Sequence, residues 1–130
     1  MEIIITQWAL DSFLDLKHRK AFTADEYRNI LRPDALLLKQ YPKHTKFGLS
    51  SFWSPAEING NKIPGGFKMK WDSLGSGKAE MRLPILLQVD AFLSEAYIKT
   101  GSIEPRKLAR FKVFAELIRH GRHTERGRLK

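Results

Sequence analysis

Apolar positions along this chain repeat with two different periods, and the change of period divides it. The unbroken run Ile3-Ile4-Ile5 reads as a strand. Behind it Trp8, Leu10, Phe13, Leu14 and Leu16 recur near helical spacing, which predicts a helix over 7–19. Thr23 and Glu26 stand in the capping-box relation at the head of a second helix. Pro33 is expected to break or restart that helix, because a proline inside it loses a backbone bond and clashes with the preceding turn. One or two further turns then end near Tyr41-Pro42. From 43 to 66 turn chemistry dominates ("SPAE", "NGNK", "IPGG"), predicting a long loop or one holding a small irregular hairpin.

After Gly66 the period becomes two. Phe67, Met69 and Trp71 point to one side and Lys68 and Lys70 to the other. A Gly75-Ser76-Gly77 turn follows, after which Met81, Leu83, Ile85 and Leu87 take the core side with Glu80 and Arg82 opposite. Pro84 cannot donate to a ladder, so a bulge or pairing gap is expected there. In the third segment Phe92, Ser94, Ala96 and Ile98 are expected inward, and Leu93, Glu95, Tyr97 and Lys99 outward. Short turns between the three strands make an antiparallel meander. Helical spacing returns at Pro105 and stops at Gly121, with an apolar stripe of Leu108, Phe111, Phe114, Ala115 and Ile118. The pattern predicts a single α+β domain over 1–130. It has a small, mainly antiparallel twisted sheet with the N-terminal helices packed on it, a C-terminal helix, and a frayed tail from about 121.

Composition narrows the chemistry. The 42% of hydrophobic residues suffices for a core, and no cysteine is present for disulfides or thiolate catalysis. Glu2 and the brevity of the first apolar run argue against a signal peptide. No apolar segment approaches the roughly 20 residues that span a bilayer, so a cytoplasmic protein with no membrane partner is expected. The net charge of +9 points to polyanionic or acidic partners. Residues 101–130 carry nine Lys/Arg against three Glu and so concentrate a net +6.

The outward strand faces gather Lys68, Lys70, Glu80, Arg82, Glu95, Tyr97 and Lys99. One reading is a solvated sheet face with cross-strand ion pairs such as Lys70–Glu80, each contributing little. The other is an RNA-cleaving surface. RNA is cut without metal when a base takes the ribose 2′-hydroxyl proton and cations hold the scissile phosphate. A lysine crowded by cations has a lowered pKa, which suits it to base work. Arg106, Lys107, Arg110, Arg119 and His123 supply further RNA-binding candidates. No cofactor is called for: "GSGK" is a hairpin turn rather than a phosphate loop, and His120 and His123 lack the carboxylates of a metal site. Trp8, Trp53 and Trp71 are expected in the core rather than as base-stacking platforms.

The order strand, helices, loop, meander and C-terminal helix resembles the RelE/ParE superfamily of toxin–antitoxin toxins. The resemblance is carried by "MEIIITQWALDSFLDL", "FKMKW", "EMRLP" and "AFLSEAYIK", and "EPRKLAR" is similar to the matching stretch of YafO-type toxins. It implies a metal-independent, ribosome-dependent mRNA endoribonuclease that arrests growth by blocking translation, with the ribosome, mRNA and a cognate acidic antitoxin as partners. The paired lysines of the pattern fall on Lys68 and Lys70, its phosphate-binding arginine on Arg82 and the basic residue of the last strand on Lys99. No tyrosine follows Tyr97, and His120 or His123 stand near the C-terminus where the family often has a tyrosine or histidine. ParE-like members share the fold but poison DNA gyrase. That alternative stays open, as does a non-catalytic basic nucleic-acid-binding protein.

Overall fold

The computed structural model describes residues 1–130. Strand β1 (Ile3–Thr6) runs directly into helix α1 (Gln7–His18). Thr6 makes the junction: its hydroxyl accepts from the Ala9 amide at 3.3 Å and donates to the Leu93 carbonyl at 2.7 Å. Next comes a helical run from Ala24 to Gln40, opened by α2 (Ala24–Glu26) with the full Thr23/Glu26 capping box. The run does not break at Pro33. A wider π turn, Tyr27–Leu31, precedes α3 (Arg32–Leu36), where the α pattern restarts with the proline in its first turn. A 3₁₀ turn, Leu37–Gln40, closes the run before Tyr41-Pro42.

The segment 43–66 is more ordered than a loop. After a 3₁₀ turn (Thr45–Gly48), β2 (Trp53–Ile58) pairs with β3 (Asn61–Leu74) through an Asn59-Gly60 turn with φ of 51° and 79°. Positive φ at both central residues is what a tight hairpin of this kind needs, and Asn-Gly supplies it. Of the prolines and glycines that suggested a loop, Pro55 lies in the edge strand β2 beside a register shift, Gly60 makes the turn, and Pro64, Gly65 and Gly66 lie within β3. Strand β4 (Ala79–Leu87) completes the long central hairpin.

The third meander segment is two strands, β5 (Ala91–Leu93) and β6 (Tyr97–Ile98), both pairing with β4. Their junction lies opposite Leu83 and Pro84, so the expected pairing gap falls on this side of β4. The break also shifts the phase, contrary to the alternation expected here. Leu93 joins Ala91 and Ala96 in the main core, while Phe92 packs toward the C-terminal helix α4 (Ile103–Arg119). The tail is not frayed: β7 (Glu125–Arg128) pairs antiparallel with β1, and Leu129 packs on the main core. The resulting seven-stranded sheet runs β2-β3-β4-β5-β1-β7, with β6 beside β4. It is mixed, because β1 and β5 pair in parallel.

Both faces of the sheet are covered. On one, Leu16, Phe22, Leu31 and Leu38 pack on Ile3, Met69, Trp71 and Ile85. On the other, Leu108, Phe111, Ala115 and Ile118 of α4 pack on Ala56, Ile63 and Leu86. Burial of a side chain such as Phe111 contributes about 1.5–3 kcal/mol. Gly66 makes that crossing possible, since a Cβ there would lie 2.8 Å from the Phe111 ring. The tryptophans serve packing: Trp8 stacks on Phe114, Trp53 on Phe67, and Trp71 donates to the buried Asp34 carboxylate at 2.9 Å. No helix is long and apolar enough to cross a membrane.

Candidate functional site

The covered second face has one polar interruption. Antiparallel pairing sets Lys70 opposite Arg82, and Arg82 opposite Tyr97, so β3, β4 and β6 contribute one side chain each to a row across the sheet. Lys68 follows two residues away on the same face of β3 and pairs with Pro84. That partner offers no charge, so the Lys68 ammonium reaches to α4 instead and meets Glu104 at 3.5 Å.

Glu104 is the hub of the site. It occupies the first turn of α4, where the helix dipole favours a carboxylate. The Tyr97 hydroxyl donates to its Oε2 at 2.6 Å, while Lys68 faces Oε1. Burial alone would raise the Glu104 carboxyl, but the Tyr97 hydroxyl and the Lys68 and Lys99 ammoniums outweigh it and hold the group below its ordinary value of 4.5. Burial and the acceptor carboxylate push the Tyr97 phenol far above its ordinary range. Tyr97 is therefore a fixed donor and no base. Lys70 is shifted the other way. Burial, then the charges of Lys68 and Arg82, lower its pKa; Glu104 opposes them, and Lys99 adds the smallest lowering effect. The Lys70 ammonium donates to the Ser50 carbonyl at 2.9 Å.

The expected Lys70–Glu80 pair does not form, because the register sets Lys70 against Arg82. Arg82 itself departs from the expectation of an outward cation. It is buried, and its Nη1 donates to the carbonyls of Trp71 and Met81 at 3.2 Å each and to Asp72 at 3.1 Å. Glu80 stands 3.9 Å from Nη2. The phosphate-binding role given to Arg82 thus meets a guanidinium already bound to its own strands. Lys99 is exposed and is anchored through its amide on the Glu80 carbonyl. A groove of about 480 Å³ runs between the β2–β3 hairpin and the N-terminal end of α4, with Lys68, Lys99 and Glu104 on its wall.

The five C-terminal candidates do not form one surface with this row. Arg110 makes a two-pronged ion pair with Glu95 at 2.9 and 3.0 Å and lies over the Phe114 ring. Lys107 shares Glu95 at 3.6 Å. Arg119 pairs with Glu116 at 2.7 Å near the far end of α4. The His123 ring is largely buried, edge-on to Phe92. Arg106 alone is exposed without an ion pair. Lys107 and Arg110 thus gather at Glu95, Arg119 stands at the far end of α4 and His123 beyond it, a distribution that a count of charges cannot reveal. No three His, Asp or Glu side chains converge where they could hold a metal ion.

Two residues of the site escaped sequence reading. Glu104 precedes Pro105 at a helix start, a position that favours an acid for structural reasons alone, so its meeting with Tyr97 and Lys68 was not legible. Ser50 contributes only a backbone oxygen, which no sequence pattern marks. The chain matches no protein-family model, no curated protein and no solved structure.

Proposed function

We propose that the protein is the toxin of a toxin–antitoxin system of RelE-like type, a metal-independent endoribonuclease that cuts mRNA on the ribosome and arrests growth. It acts in the cytoplasm and is held inactive by an acidic antitoxin. The observation that carries this reading is Lys70: a half-buried lysine whose pKa is lowered by burial and neighbouring cations, in a row with Arg82 and Tyr97. A neutral amine there takes the ribose 2′-hydroxyl proton. The 2′-oxygen then attacks phosphorus, the P–O5′ bond breaks, and the leaving 5′-oxygen collects a proton. The products are a 2′,3′-cyclic phosphate and a 5′-hydroxyl. Lys99 holds the phosphate from the open rim, while Glu104 and Tyr97 fix Lys68 beside Lys70.

The test is mRNA cleavage by the purified protein on programmed ribosomes, with growth arrest followed in cells. Lys70→Ala should lower the cleavage rate by about 10²–10⁴, the usual contribution of a positioned acid–base group. Lys62→Ala, on an exposed part of β3 outside the row, should leave the rate unchanged, and EDTA should not affect it. An undiminished Lys70→Ala variant rejects the assignment. DNA damage with intact mRNA identifies the gyrase-poisoning branch instead.

A further inference from the structure

The opposite face of the same strands holds a cavity of about 210 Å³. Leu10 and Phe13 of α1, Tyr27 and Leu31 of the π turn, and Met81 and Leu93 of the sheet form its wall. Every lining residue but one is apolar, the exception being Arg32. Arg32 pairs with no Asp or Glu side chain, and its guanidinium donates to the main-chain oxygen of Lys130, the last residue of the sequence. Its neighbours in the chain carry a second signal. A π turn is rare and recurs at functional sites, and this one ends at Leu31, so both its end residues, Tyr27 and Leu31, line the cavity immediately before the arginine.

We infer that this cavity binds a small amphipathic carboxylic acid, its apolar body between α1 and the sheet and its carboxylate on Arg32. An apolar cavity of about 150 Å³ holds a benzene ring. By that measure 210 Å³ admits a body of about eight or nine heavy atoms, such as a medium-length acyl chain or an aryl-substituted acetate. A pocket of this make-up, apolar with one convergent polar group, is the common form of a small-molecule site. The ligand carboxylate would take the place of the Lys130 main-chain oxygen on the guanidinium in a charge-assisted pair, which a neutral head group cannot form. The lining side chains face away from Lys70, so the inference is independent of the RNA-cleavage reading.

The experiment titrates the full chain with octanoate and, separately, with 1-octanol, following methyl resonances by NMR and the unfolding temperature. Octanoate should shift the Leu10, Leu31 and Leu93 methyls, raise the unfolding temperature, and bind at least about tenfold more tightly than octanol. Arg32→Gln, a change at the partly exposed mouth, should reduce octanoate to the affinity of octanol. Equal binding of acid and alcohol by the unaltered protein would overturn the carboxylate assignment without any variant. Absence of shifts at those methyls at millimolar octanoate would overturn the site itself.

Discussion

Replacing Arg82 with alanine separates the two descriptions of that residue. As an outward cation it would tolerate the change within about 0.5 kcal/mol, as surface positions usually do. The structure predicts a larger cost. Nη1 carries two hydrogens and faces three acceptors, Trp71 O, Met81 O and Asp72 Oδ1, so one bond is shared and about two are made. Asp72 is half-exposed, with 55% of its side chain open to solvent, and its ion pair contributes no more than about 1 kcal/mol. The carbonyl side matters more, since a buried acceptor stripped of its charged donor costs about 1–3 kcal/mol. Loss of the buried alkyl stem adds about 1 kcal/mol. The sum is about 3 kcal/mol, or roughly 10 °C in unfolding temperature for a domain of this size. Thermal unfolding by circular dichroism measures it directly. A variant melting within about 2 °C of the parent would refute the reasoning and return Arg82 to the solvent as a free cation. The outcome governs how an inactive Arg82 variant is interpreted, because loss of fold and loss of a phosphate contact give the same blank in a cleavage assay.

Two further outcomes test the site and its support. The Glu104 carboxyl is depressed in the folded state, so it contributes stability above its unfolded value near 4.5, and that stability is lost as pH falls through the lower folded value; Glu104→Gln should flatten this acid limb in unfolding measured from pH 6 down to pH 2, and an unchanged limb would place the ionised carboxylate elsewhere. Gly75 donates its amide to the Glu26 carboxylate at 2.9 Å, and Gly75→Ala should destabilise by about 1–3 kcal/mol in denaturant titration, since φ is +65° and a Cβ would lie 2.8 Å from the Ala21 carbonyl; a neutral substitution would show that the turn is not held between Ala21 and Glu26.

Sequence periodicity alone determined the first strand, α1, the capping box, the alternation of β3 and the stripe of α4, because each depends on neighbours close along the chain. It also placed Lys68 and Lys70 on one face, since the side chains of a strand alternate whatever it packs against. What periodicity could not fix is which faces are covered. Phe92 and Leu93 exchange roles because α4 buries the second face and the Ser94–Ala96 break shifts the phase. The tail became β7 because β1 offered an unpaired edge, a long-range property invisible in "RHTERGRLK". The site divides in the same way. Lys70, Arg82 and Tyr97 were legible as residues of outward strand faces, and the register brought them into one row. The burial of Arg82 and Tyr97, the lowered pKa of Lys70 and the role of Glu104 arise only once the strands and α4 are assembled, because desolvation and charge coupling depend on distance through space and not along the chain.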